Sequence, residues 1–432
     1  MLDIKLIRQE PDTVRTALRH RGDDPAKVDR LLDLDTAFRT LQARIDTLRQ
    51  ERNTKSKAIG AIRTGKAEGD AEALQAEVRT LGDILTNLEA ELAANQHARL
   101  DPAEGLLYQI PNLPDATVPV GQTEDDNVEV RRWGTPPAFA HAAEPHEEIG
   151  ERLGLLATEE AARLAGSRFV LLKGQGARLE RALLNFMLDL HLAHGYTEVL
   201  PPTLANADTL TANGNLPKFH DQLFQITDWP LFLIPTAEVP LTNMHRGQIL
   251  DAGQLPVHLT AGTSCFRSEA GAAGRDTKGM IRVHEFRKVE LVKLVAPEQG
   301  LEALEGMVAD AERVLRTLGL PYRVVQLCTA DLGFNSAITY DLEVWFPSQG
   351  KYREISSCSL CTDFQTRRGQ TRYRDGEAIR HPHSLNGSGV AVGRCLAAIL
   401  ENGLQADGTV RVPEALVPYM GGIPVLGRPR AV

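Results

Sequence analysis

The run Phe266-Arg267-Ser268-Glu269 is followed, after a short break, by Arg282-x-x-x-Phe286-x-x-x-Glu290. Together they read as a β-hairpin presenting a guanidinium, carboxylates and an aromatic ring on one surface. Such a set suits a nucleoside triphosphate. Arg267 can grip a phosphate where charge develops during displacement, and Phe286 offers a stacking surface for a base. A cluster much later in the chain, Gly387-Ser388-Gly389-Val390-Ala391-Val392-Gly393-Arg394, reads as a Gly-rich strand-to-helix turn. It ends in a second arginine able to face the other side of the nucleotide. Neither G-x-x-x-x-G-K-[ST] nor a strand-linked G-x-G-x-x-G occurs, and Gly174-x-Gly176 is too short to count, so phosphate binding must rest on side chains. Alone, Arg267 would be an ordinary surface ion pair; its register with Glu269, Arg282, Phe286 and Glu290 carries the reading. Glu354-Ile355-Ser356-Ser357-Cys358-Ser359 adds an acid and hydroxyls, which beside a triphosphate suit Mg²⁺, a cation of hard oxygen ligands. Cys358-x-x-Cys361 lacks a second such pair or a spaced His pair, so zinc is not expected.

Two kinds of element must position these groups. Leu31, Leu34, Phe38, Leu41, Ile45 and Leu48 follow a 3,4,3,4,3 spacing, and Leu74, Val78, Leu81, Leu85, Leu88 and Leu92 a 4,3,4,3,4 spacing. These are narrow a/d seams, so the N-terminal part is expected to be two long helices folded back as an antiparallel coiled coil. The turn is placed around Gly60, Gly65 and Gly69. Some 30 residues at about 1.5 Å each reach roughly 45 Å, so the pair is expected to form a projecting arm. Its far end carries Arg52, Lys55, Lys57, Arg63 and Lys66 against the single acid Glu51, which favours phosphate contact. A connector rich in proline, Pro111 to Gly121, separates the arm from the remainder.

Beyond it, Arg178–194 reads as an amphipathic helix stopped by Gly195, followed by a strand over 196–200 that ends at Pro201-Pro202. Leu301 to Leu318 form a second apolar helix face, stopped by Gly319. Segments 322–328, 336–346 and 352–357 read as strands. Strands succeed one another with few intervening helices, which favours an α+β fold with a mainly antiparallel sheet flanked by helices. The chain has 432 residues, 42% hydrophobic and 24% charged, and a net charge of −9. These values exclude disorder and general polyanion coating while leaving room for a local basic patch. The five cysteines form no disulfide framework, and neither a signal peptide nor a membrane-spanning stretch is seen, so a cytoplasmic setting is expected.

The Arg267 and Arg394 elements resemble motifs 2 and 3 of the class II aminoacyl-tRNA synthetases, and the sequence between them resembles the seryl-tRNA synthetases. Motif 1 resembles the Arg178 helix with Gly195-Tyr196-Thr197-Glu198-Val199-Leu200-Pro201-Pro202, which in the family builds a dimer interface. The resemblance implies an N-terminal tRNA-binding domain over 1–110 and a catalytic domain over 111–432, with motif 1 at about 178–202, motif 2 at about 263–290 and motif 3 at about 386–402. It implies ATP-dependent activation of L-serine to seryl-adenylate and its transfer to the 3′ end of tRNA(Ser), and of tRNA(Sec) with it. Arg267, Arg394 and Glu354 would be catalytic. ATP would meet Arg267, Ser268, Glu269, Val283, Phe286, Glu354, Ile355, Ser356, Ser357 and Arg394, with Mg²⁺ on Glu354 and Ser357. Ile234-Pro235-Thr236-Ala237-Glu238 resembles the loop that contacts serine; alone it would be a commonplace helix start. Serine contacts are thus implied for Thr236, Ala237, Glu238, Arg267, Glu290, Asn386 and Ser388. Such a pocket rejects alanine because its polar groups would be left unpaired.

The arm, through Arg52, Lys55, Lys57, Arg63 and Lys66, would recognise the long variable arm of tRNA(Ser). A homodimer binding tRNA across subunits is the implied assembly, with no membrane partner. The loop 271–279, with Arg275 and Lys278, is expected to guide the acceptor end. Three departures stand out: Glu147 for a usual tryptophan, Asn213-Gly214-Asn215 for a Gly-Thr-Gly-Gln-like run, and Gly403 for an aromatic residue. None is expected to touch the reactive centre.

Overall fold

The computed structural model describes residues 1–270 and 279–427. Contacts divide the chain into two compact units. One comprises Leu2–Arg19 and Asp23–Pro111; the other comprises Met1, His20–Gly22 and the chain from Asn112 onward.

The first unit holds α1 (Ile4–Gln9), α2 (Pro11–His20), α3 (Ala26–Arg63) and α4 (Ala71–Leu100). Arg49 pairs with Glu89, Lys55 with Glu77, and Arg63 with Gln75. One partner's number falls as the other rises, so α3 and α4 run antiparallel. Ile45, Leu85 and Leu88 form the sealed seam, flanked by Leu41, Leu48 and Leu92, as the heptad spacing requires. Gly60 lies inside α3 rather than in the turn. The reversal uses residues 64–70, where Gly65 and Gly69 take positive φ and the Asp70 side chain caps α4 by accepting from the amides of Glu72 and Ala73.

The second unit is built on a sheet of β1 (Val128–Trp133), β2 (Thr197–Glu198), β3 (Val257–Phe266), β4 (Glu285–Val295), β5 (Tyr322–Gln326), β6 (Ile338–Phe346), β7 (Lys351–Thr362) and β8 (His383–Ala391). Among the described residues the strand order is β1-β5-β6-β7-β8-β4-β3-β2. Every pairing is antiparallel except β2 with β3. The helices are α5 (His146–Arg152), α6 (Thr158–Ala165), α7 (Gly174–Leu192), α8 (Ala207–Asn213), α9 (Glu238–Thr242), α10 (Gly300–Leu318), α11 (Phe364–Arg368) and α12 (Val392–Asn402). The expected α+β class is therefore the observed one.

Strand alternation decides which side chains share the open face of the sheet. On β4, Val289 and Leu291 enter the core shared with α7, α10 and α12, so Phe286, Lys288 and Glu290 share the opposite face. α10 ends at Gly319, whose φ of 68° closes a left-handed cap. The expected strand over 196–200 shrinks to Thr197–Glu198, because Pro201 and Pro202 cannot donate to a ladder. No helix among the described residues is long and apolar enough to cross a membrane.

Candidate active site

A cavity of about 390 Å³ opens on the sheet face opposite α7, α10 and α12. Thirteen of the residues singled out for ATP and serine line it: Thr236, Glu238, Arg267, Glu269, Val283, Phe286, Glu290, Glu354, Ile355, Ser357, Asn386, Ser388 and Arg394. Three do not. Ala237 is buried in an apolar cluster with Leu241, Leu259, Ala261 and Val292. The Ser268 hydroxyl donates to the carbonyl of Asp221. Ser356 is buried and donates to the Ser388 carbonyl at 2.6 Å. Residues 271–278, with Arg275 and Lys278, lie outside the described residues.

Arg267 leaves the end of β3 and is held on all sides. Its amide donates to the His284 carbonyl, and His284 Nδ1–H donates back to the Arg267 carbonyl at 3.0 Å. Its Nε donates to Pro235, and its guanidinium carbon stands 5.1 Å from the centre of the Phe286 ring. Cation and ring therefore offer one continuous surface to a base and its α-phosphate. Glu269 adopts φ of 52°, unusual for a non-glycine residue, and accepts from Arg282 Nη1 at 2.7 Å. Arg394, in the first turn of α12, donates through Nε to the Ile281 carbonyl at 3.2 Å and through Nη1 to the Glu354 carbonyl at 2.7 Å. Its Nη1 also stands 3.4 Å from the Glu354 carboxylate.

The segment carrying Ile281 is pinned from below. Met280 N donates to His146 Nε2 at 3.0 Å, which leaves His146 Nδ1–H to donate to Glu401 Oε1 at 2.9 Å. Gly279 must be glycine there: φ is 68° and a Cβ would lie 2.2 Å from His146 Nε2. Gly387 and Gly389 are strand residues of β8, not turn residues, and packing explains them. A Cβ on Gly387 would meet Cys358 Sγ and Met307 Sδ at 2.8 Å, and one on Gly389 would meet His191 Nε2 at 2.4 Å.

Two carboxyls near Arg394 diverge. Burial alone would raise Glu354, but Arg394 and Arg267 beside it hold its carboxyl below the ordinary value. Burial and the neighbouring Glu354 push Asp341 well above its ordinary value, although Ser357 donates to it. An ionised Glu354 and the Ser357 hydroxyl are hard oxygen donors that fit Mg²⁺, and Asp341 Oδ1, buried with no hydrogen-bond partner among the described residues, lines the same hollow. Cys358 and Cys361 do not converge: Cys358 faces Met307 on the helix side, while Cys361 accepts from Asn386 on the cavity side.

Around Thr236, Glu238 and Glu290 the cavity wall is a chain of buried polar groups. Thr236 Oγ1 donates to Glu290 Oε2 at 2.8 Å, and Lys288 Nζ lies 2.5 Å from the same oxygen. Ser388 pairs with Glu290 across β8 and β4. The Glu238 amide donates to Thr236 Oγ1, the helix start that the tripeptide allows. Burial, then the nearby Glu290, pushes the Glu238 carboxyl up to about 7. Oε1 of that carboxyl accepts from Gln365 Nε2 at 2.7 Å and Asn213 Nδ2 at 3.2 Å.

Asn213 thus bonds a residue of the cavity wall, and Gly214 and Asn215 line an adjoining hollow of about 590 Å³ that shares Thr236, Glu238, Arg267 and Asn386. This corrects the expectation that the unusual positions stay clear of the centre. Glu147 is not among the residues lining the cavity; its carboxylate lies 3.4 Å from His146 Nδ1, near Gly279. Lys288 was missed although its spacing of two from Phe286 and Glu290 was a usable signal. Asn213 was marked only as an unusual residue and Gln365 not as a site residue, because only the fold brings α8, α9 and α11 together.

Comparison with known proteins accords with this arrangement. Residues 1–114 match the seryl-tRNA synthetase N-terminal domain, and residues 224–403 match the tRNA synthetase class II core domain (G, H, P, S and T). The chain is 54% identical to a serine–tRNA ligase of Pseudomonas putida over 99% of its length and 100% of the relative. It is 51% identical to one of Desulfosudis oleivorans with the same coverage. A seryl-tRNA synthetase of Pyrococcus horikoshii, crystallised with ATP, superposes with a TM-score of 0.93 at 38% identity over the whole of both chains. The cytoplasmic enzyme of Naegleria fowleri, solved with AMP, gives 0.89 at 31% identity over 99% of each.

Proposed function

The chain belongs to the seryl-tRNA synthetases of class II, and from that membership we propose that it activates L-serine with ATP and transfers it to tRNA(Ser), and to tRNA(Sec) with it. The observation that carries the reading is the convergence of two anchored guanidiniums, a stacking ring and a hydroxyl–carboxylate pocket in one cavity.

In the first step a serine carboxylate oxygen attacks the α-phosphorus in line, and the bond from that phosphorus to the bridging oxygen breaks to release pyrophosphate. The attacking group is already ionised, so no general base is needed. Arg267 neutralises the α-phosphate, with Phe286 stacked on adenine and Glu269 beside its amino group. Arg394 faces the γ-phosphate. These charges are fixed before reaction by backbone acceptors, so little reorganisation is required. Mg²⁺, held by Glu354 and Ser357, would supply further charge neutralisation at the phosphates. Thr236, Glu238, Glu290, Asn386 and Ser388 orient serine. In the second step the ribose 3′-hydroxyl oxygen attacks the seryl carbonyl and AMP leaves. The hairpin of α3 and α4 recognises the long variable arm by shape and backbone. Among its expected contacts, Lys55 already pairs with Glu51 and Glu77. Arg52, Lys57 and Lys66, which form no salt bridge among the described residues, and Arg63 remain for phosphate. A cytoplasmic homodimer binding tRNA across subunits completes the reading, with Leu200 of the motif 1 segment 89% exposed as a candidate interface residue.

The test is charging of unfractionated tRNA with labelled serine, run beside serine-dependent ATP–pyrophosphate exchange. Both are expected in the parent. Replacing Arg52, Lys57, Arg63 and Lys66 by alanine is expected to lower charging at least tenfold while leaving exchange unchanged. Charging that survives the four changes would sink the role of the arm; exchange without charging in the parent would point to another acceptor.

A further inference from the structure

The Gln365 amide sits where its orientation is not free. Its nitrogen lies 3.1 Å from the Asn213 carbonyl and 2.7 Å from Glu238 Oε1, both of which only accept when Glu238 is ionised. The NH₂ end must therefore face them. Its oxygen in turn accepts from the Ser384 hydroxyl at 2.8 Å. Asn213 is fixed in the same way: Asn335 donates to its carbonyl at 2.7 Å, while its own amide donates to Asn215 Oδ1 and to Glu238 Oε1. Asn213 and Gln365 are each 1% exposed. Both amides thus converge on one oxygen of Glu238, and among the described residues no donor reaches Oε2. Glu238 itself lines the cavity.

We infer that Gln365, with Asn213 beside it, is a positioning residue for the amino-acid substrate: the two amides hold Glu238 by Oε1 and present Oε2 to the ammonium or hydroxyl of serine. The inference rests on the reading of this cavity as the serine site. It also gives the unusual Asn213 a task within that site. The charged and titratable groups around Glu238 are Glu290 and Lys288 on β4 and Cys361 on β7. Glu290 disfavours an ionised Glu238, whereas Lys288 and the two amides favour it. Removing an amide donor therefore costs the ionised form first.

The experiment compares the parent with Gln365→Met and Asn213→Ala in serine-dependent pyrophosphate exchange, from mildly acid to mildly alkaline pH. For Gln365→Met the KM for serine is expected to rise about tenfold, with the KM for ATP changed by less than about twofold. The rising limb of kcat/KM for serine moves to higher pH, while the profile for ATP stays in place. Asn213→Ala shows the same pattern at smaller amplitude and carries the test should Gln365→Met fail to fold. A loss shared equally by serine and ATP with unmoved pH profiles would overturn the inference, and so would an unchanged KM for serine. If the parent shows no serine-dependent exchange at all, the reading of the cavity itself falls, which the parent assay alone reveals.

Discussion

Glu238 illustrates how a single side chain of the cavity ties stability to pH. Burial is the chief cause of its rise to about 7, with Glu290 adding to it, against an ordinary value of 4.5. Between those values the native state keeps a proton that the unfolded chain releases. The contribution of this group is therefore full below about 4.5 and is lost as pH rises through about 7. Asp341, also raised, acts in the same direction. Glu238→Gln removes one of the two titrations. The Tm of the ligand-free variant is expected to decline less steeply than that of the parent over this window, and thermal melts at a series of pH values check it. Parallel slopes would show that Glu238 does not titrate there. At this scale much of the site was legible. Arg267, Phe286 and Glu290 announce themselves by type and by strand spacing, and Lys288 shares the same period of two. Ala237, Ser268 and Ser356 fall outside the cavity lining because each side chain is taken up by its own surroundings: an apolar cluster, the Asp221 carbonyl and the Ser388 carbonyl.

Among the elements, the helical hairpin was the easiest to read, since a narrow apolar stripe at heptad spacing has few other uses. The stripe hid one residue of consequence. Asp35 is 1% exposed on α3, and it meets Arg8 through two bonds of 2.7 Å, Arg99 at 2.8 Å and Arg39 at 3.2 Å. Arg99 also lies over the Phe38 ring at 4.1 Å. The Arg8 hydrogen bond is the chief cause of a carboxyl held below its ordinary value. Asp35→Asn would leave Arg99 buried without a counter-charge, a loss of about 3 kcal/mol. Hydrogen exchange should show reduced protection in α1 and in the adjoining ends of α3 and α4, while serine-dependent pyrophosphate exchange is retained. Unchanged protection would mean that the cluster adds nothing to this unit. No local pattern could mark Asp35, because its partners come from three different helices. The glycines of β8 teach a related lesson: a glycine that admits a phosphate and one that admits a helix are identical in sequence, and only His191, Met307 and Cys358 reveal the second use.

For the molecule as a whole, the class of fold followed from the order of strands and helices, whereas the joining of distant segments did not. Ser268 bonds to Asp221, Glu238 to Gln365, and His146 to Met280, and each pair spans a stretch whose path no periodicity encodes. Yet the principal cavity-lining groups sit on neighbouring strands of a single sheet: Glu354 and Ser357 on β7, Asn386 and Ser388 on β8, Phe286 and Glu290 on β4, with Arg267 just past β3. Neighbouring strands lie about 4.8 Å apart and are hydrogen-bonded, with bulges at Glu354/Ser356 and Ser388/Ala391. On the proposed reaction, groups already held on one sheet among the described residues leave solvent friction little purchase on the activation step. At saturating serine and ATP, the pyrophosphate-exchange rate should change by less than about twofold as sucrose thickens the medium. A fall in proportion to viscosity would instead reveal a closing motion that sets the pace.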